Sequence, residues 1–104
     1  MSTKIKVADL PDFDMANHIQ TEEDVANYLT LVLADNDPAE LRHALGTIAR
    51  AKGMSEVALA SGLTREALYK ALRRTSQPRF DTITKVCAAL GVKLVAVPLQ
   101  SSTR

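Results

Sequence analysis

Residues Gly53 to Arg73 read GMSEVALASGLTREALYKALR, and this stretch decides the fold. It divides into two short helices joined by a tight turn. Val57 and Ala58 give the first helix a small apolar face. Gly62 can take the left-handed backbone needed where that helix ends. Leu63 plugs the turn. Thr64 stands at an N-cap, where its hydroxyl can accept from a free N–H of the next helix. Leu68 and Leu72 then recur at helical spacing and face inward. Arg65, Glu66, Tyr69 and Lys70 are left on the outer face. A short helix that displays polar side chains after a glycine turn is the arrangement of a DNA-reading helix-turn-helix.

Working towards the N-terminus, Gly53 closes an earlier helix. Asp37-Pro38-Ala39-Glu40 starts that helix, with Asp at the cap, Pro at the first helical position and Glu at the third. Leu41, Ala44, Leu45 and Ile48 form its buried stripe to about Lys52. Gly46 weakens it by up to about 1 kcal/mol relative to Ala, and a close helix approach is one reason to keep a glycine there. Thr21 to Asp24 has the form of a capping box, with acids in the first turn. Val25, Leu29, Val32 and Leu33 follow at helical spacing, and Tyr28 and Leu31 widen the stripe towards a second neighbour or a partner chain. Residues 1–20 read as an N-terminal arm, in which Lys4 to Val7 alternates like a short edge strand.

Working towards the C-terminus, Thr75 to Arg79 is a loop containing Pro78. A last helix follows to Leu90, with Phe80, Ile83, Val86, Cys87 and Leu90 inward and Gly91 at its end. Val92 to Leu99 is rich in β-formers, and a strand needs a partner. The options are Lys4 to Ala8, or the same segment of a second copy. Val92, Leu94, Val95 and Val97 are therefore candidates for a dimer interface.

The chain of 104 residues suits one domain with a modest, aliphatic core, since aromatics are 4%. One cysteine, Cys87, excludes an internal disulfide and fits a reducing, cytoplasmic setting, most simply as a core thiol. No run is apolar enough to span a membrane, and no signal-peptide pattern opens the chain. The net charge of +1 hides a split. Residues 1–40 carry Lys4 and Lys6 against nine acids, net −7, and residues 41–104 carry eleven Lys/Arg against three acids, net +8. The basic part suits phosphate. The acidic part suits a basic protein, the chain's own basic face, or plain solvation.

Arg65, Lys70, Arg73, Arg74 and Arg79 lie within fifteen residues that hold one acid, Glu66. Such cations neutralise phosphates and release counterions, and Ser55 with neighbouring N–H groups can join them. Base reading falls to residues at the start of the second helix. Arg65 can pair bidentately with guanine and Glu66 can accept from cytosine. Tyr69 can stack or meet a thymine methyl, unless it is half-buried packing, and Thr64 can cap and touch the backbone. Enzyme chemistry has no support: His18 and His43 are far apart and lack the spacing of a metal site. No phosphate loop or nucleophile motif is present, and no cofactor is implied.

The segments EEDVANYL, LRHALGTIARAKGMSEVA and GLTREALYKALRRTSQPRFDTITKVCAALGVKL carry a resemblance over about Asp9 to Val97. The turn region resembles the Cro/repressor class of helix-turn-helix proteins. The three segments together resemble the addiction-module antidote (antitoxin) proteins encoded beside RelE-like toxins. The resemblance implies a mainly α fold: a five-helix, lambda-repressor-like helix-turn-helix domain over residues 21–104 with a short C-terminal β-strand. The helices are expected at about 22–34, 38–52, 54–61, 65–74 and 80–90, and the strand at about 92–98. It implies a homodimer that binds a DNA operator as an autorepressor, and a RelE-like toxin partner, whose family members are small basic ribonucleases. The acids Asp12, Asp14, Glu22, Glu23 and Asp24 are the candidates for that contact by charge. One departure stands out. Many repressors of this class have Gln where this chain has Met54, and Met cannot donate a side-chain hydrogen bond. A pure protein-interaction module on the same fold is the alternative.

Overall fold

Helix starts are set by side chains that satisfy the first free N–H groups. In the computed structural model, which describes residues 18–99, this is how α1 (Glu22–Ala34) begins. Thr21 Oγ1 accepts from the Asp24 N–H at 3.0 Å, and the Asp24 carboxylate accepts from the N–H groups of Thr21 (3.1 Å) and Gln20 (3.0 Å). The Gln20 and Thr21 N–H groups hold the Asp24 carboxyl below the usual range. Asp35 ends α1, and Asn36 takes a positive φ of 56°, which Asn tolerates better than most residues. Asp37 then caps α2 (Pro38–Lys52) by accepting from the Ala39 and Glu40 N–H groups.

Gly53 separates α2 from α3 (Met54–Ser61) at a φ of +113°. α3 closes at Gly62, whose φ of +78° is left-handed, and the Leu63 N–H reaches back to the Ala58 carbonyl at 2.9 Å. Thr64 caps α4 (Arg65–Ala71), its Oγ1 accepting from the Ala67 N–H at 3.0 Å. After a loop comes α5 (Phe80–Ala89), with Leu90 as its C-cap. The described residues are thus mainly α, with five helices and no strand.

The helices meet in one core. α1 packs on α2, α2 on α3, and α3 on both α4 and α5. Val32, Leu45, Ile48, Val57, Leu68, Val86, Cys87 and Leu90 are its largest fully buried members, drawn from all five helices and the α5 cap. Each large one contributes roughly 1.5–3 kcal/mol through burial. α3 touches three neighbours, so the core places α3, and α3 with its turn aims α4.

Five expectations change. Residues 92–98 form no strand: no described segment pairs with them, and a lone strand leaves its N–H and C=O groups unmatched. Val92 and Leu94 pack instead against the core, while Val95 and Val97 stay exposed. α4 ends at Ala71, short of Arg74: Leu72 leaves the helical conformation as its C-cap, and the Ala71 carbonyl accepts from Ser76 Oγ. Phe80, expected inward, is 72% exposed, since it is the first residue of α5 and overhangs the core. Leu33, expected in the α1 stripe, is 40% exposed and leaves it to Val25, Tyr28, Leu29 and Val32. Ile19, assigned to the arm, is buried in the core ahead of the α1 cap. Lys4 to Val7, Asp12 and Asp14 lie outside the described residues.

Candidate nucleic-acid interface

Leu68 is wholly buried, which fixes the rotation of α4 about its axis. Thr64, Arg65, Glu66, Tyr69 and Lys70 are consequently all exposed. Arg65 and Tyr69 are one turn apart and lie together: the guanidinium carbon is 5.7 Å from the ring centroid, and Nη2 donates to the hydroxyl at 3.4 Å. Stacking of this kind holds Arg65 against the ring. Tyr69 is 45% exposed, so half of it remains open to a partner. Arg73 follows four residues later and is also exposed.

The segment after α4 is built by residues that local pattern does not reveal. Arg42 of α2 donates from Nε to the Arg73 carbonyl at 3.0 Å and from Nη2 to the Arg74 carbonyl. Ser76 Oγ donates to the carbonyls of Ala71 (2.7 Å) and Arg73 (2.9 Å). Glu40, also on α2, pairs with Arg74 at 3.3 Å. The end of α4 is therefore strapped to α2 across some thirty residues of sequence, and only the charge types of Arg42 and Glu40 were visible beforehand.

The candidate phosphate contacts divide. Lys70 and Arg73 have no carboxylate partner among the described residues. Arg74 is held by Glu40, and Arg79 by Asp81 at 3.3 Å. Both pairs have exposed arginines and are worth about 0–1 kcal/mol, so a phosphate can replace the carboxylate. Ser55 is exposed at the second position of α3. Met54, beside it, is 7% exposed and joins the core. The side chain that stands where the repressor class often has Gln is thus spent on packing.

Of the acids, Glu22 and Glu23 are exposed at the start of α1, and Asp24 is engaged in the cap. Glu22 also lies over Gly91, where a Cβ would come within 2.4 Å of its carboxylate. The four dimer candidates split, with Val92 and Leu94 half-buried and Val95 and Val97 outward. Cys87 is buried, and desolvation pushes its thiol up. No group of three or more metal-ligating side chains lies together among the described residues, and no helix there is long and apolar enough to cross a membrane.

Fold and surface define a class: a small helical protein with an exposed basic helix behind a glycine turn and an acidic end opposite in charge. The chain belongs to the family of probable addiction module antidote proteins, whose model matches residues 9–98. It is similar to an uncharacterized protein of Haemophilus influenzae (strain ATCC 51907 / DSM 11121 / KW20 / Rd), with 44% identity over 84 residues, 81% of this chain and 87% of the relative. No solved structure matches it significantly. An antidote is the neutralising half of an addiction module, so membership implies a cognate toxin.

Proposed function

We propose that the chain is a DNA-binding antitoxin that represses its own promoter and neutralises a RelE-like toxin by direct binding. The observation that carries the DNA reading is the outward stripe of Arg65, Tyr69 and Arg73 along and beyond α4, presented after the Gly62 turn. Thr64, Arg65, Glu66 and Tyr69 meet base edges. Ser55, Lys70, Arg73, Arg74 and Arg79 meet phosphates. A homodimer sets two such helices about one DNA turn apart, roughly 34–36 Å, on a two-part operator.

The test is a salt titration of binding to the DNA upstream of the chain's own coding frame. Affinity is expected to fall steeply with salt, and to be lost when Arg65→Ala is combined with Arg73→Ala. Absence of wild-type binding at low salt would instead favour the protein-interaction module, a reading to which the buried Met54 lends weight.

Charge complementarity between the acidic start of α1 and a basic toxin supports the second activity. Removing residues 1–36 is a poor test, because α1 supplies Val25, Tyr28, Leu29 and Val32 to the core. Glu22→Lys with Glu23→Lys is the better one, since both side chains are exposed. Loss of co-purification with the neighbouring gene product is expected, and unchanged co-purification would move the contact elsewhere.

A further inference from the structure

Beyond the C-terminal end of α4 the surface opens into a hollow of about 430 Å³ between α4 and α2. His43 and Arg50 of α2 line one side, Tyr69 and Arg73 the other, and Arg74 closes the end. His43, Gly46 and Arg50 are spaced three and four apart, so they share one helix face. Gly46 has no side chain to fill the space. A Cβ there would sit 3.3 Å from Arg50 Nη1, so the guanidinium folds back over bare helix backbone. Among the described residues that line the hollow there is no carboxylate. Glu40 reaches Arg74 from outside it.

The location matters as much as the charge. Arg65, Tyr69 and Arg73 succeed one another four residues apart, and the last two also line the hollow. The seven residues of α4 rise roughly 10 Å, close to the major-groove width of about 12 Å. With Arg65 at the groove floor, the far end of α4 and the hollow come to the rim, where the phosphodiester chain runs. The Arg42 strap holds the Arg73–Arg74 backbone in place at that rim.

We infer that the hollow seats a backbone phosphate of duplex DNA, with Arg50 and His43 of α2 as contacts in addition to those of the α4 segment. The inference rests on the DNA-binding reading above. Arg50 is the principal contact, because a guanidinium fork can meet two phosphate oxygens at once.

The experiment compares wild type with Arg50→Gln, Arg50→Lys and His43→Ala on two duplexes of equal length, the chain's own upstream DNA and an unrelated sequence. Arg50→Gln is expected to weaken both by the same factor, and to reduce the slope of log affinity against log salt by about 0.9. Arg50→Lys should restore the slope. His43→Ala should weaken both duplexes equally, and it stands in if Arg50→Gln lowers the thermal midpoint. An unchanged slope and affinity in both Arg50→Gln and His43→Ala, with wild type still binding DNA, overturns the inference and leaves the DNA reading intact. No wild-type binding at low salt overturns both. Inorganic phosphate, titrated against the His43 ring resonances, separates the two sources of the anion. Saturation by phosphate with unaltered DNA binding in the variants would assign the hollow to a free anion and overturn the proposal.

Discussion

Two glycines show how opposite consequences follow from one residue type. Gly62 has a φ of +78° and open space where a Cβ would go, so a substitution there meets backbone strain and nothing else. Gly62→Ala is expected to cost roughly 1–2 kcal/mol, read by urea unfolding. Gly46 is helical, and a Cβ there would touch Leu72 at an ordinary 3.8 Å and the mobile end of Arg50 at 3.3 Å. The close helix approach suggested by its presence is thus not tight. Gly46→Ala is expected to stabilise by up to about 1 kcal/mol through helix propensity, because Arg50 is exposed and its end can move aside. A destabilised Gly46→Ala would mean that Arg50 is held more firmly than its exposure implies.

The same contrast between near and distant causes governs the elements. The start of α1 depends on a capping box whose Asp24 carboxyl is held low by two backbone N–H groups. A carboxyl lowered in the folded state contributes stability above its unfolded pKa, and that contribution fades as pH falls towards the folded value. Asp24→Ala should therefore lower the thermal midpoint near neutral pH, and the gap to wild type should narrow below about pH 3.9. A gap independent of pH would show that the charge of Asp24 is irrelevant to the cap. Thr21, Asp24, Asp37, Pro38 and Thr64 announce helix starts in the sequence because each acts on atoms within four residues. The end of α4 was not legible for the converse reason. Ser76 takes up the Ala71 carbonyl, and Arg42, from 31 residues away, holds the Arg73 carbonyl just past the helix end. Phe80 misled because periodicity gives a residue's direction, and says nothing of whether the core extends far enough to cover it. Of the candidate interface, the exposure of Arg65, Glu66, Tyr69 and Lys70 followed from Leu68 alone. The hollow needed two helices in place before His43 and Arg50 could be seen to share it with Arg73.

At the scale of the molecule, the segment after α5 lies with Val92 and Leu94 on the core and Val95, Val97 and Leu99 exposed. A second copy could cover that outer row, which is the basis for placing the proposed dimer there. Val95→Asp with Val97→Asp is expected to give a monomer by light scattering, with helical content retained and affinity for a two-part DNA site reduced. A dimer that survives both changes would move the contact to another face, such as the one bearing Leu31. The core itself carries a built-in clock. Cys87 is the only thiol in the sequence, and it is buried in α5 with its ionisation suppressed. Alkylation needs the thiolate in contact with reagent, so the rate of thiol labelling under native conditions times how often α5 lets go of the other helices. Slower labelling when a toxin or a DNA duplex is added would measure, without any engineered probe, how firmly each partner holds the antidote closed.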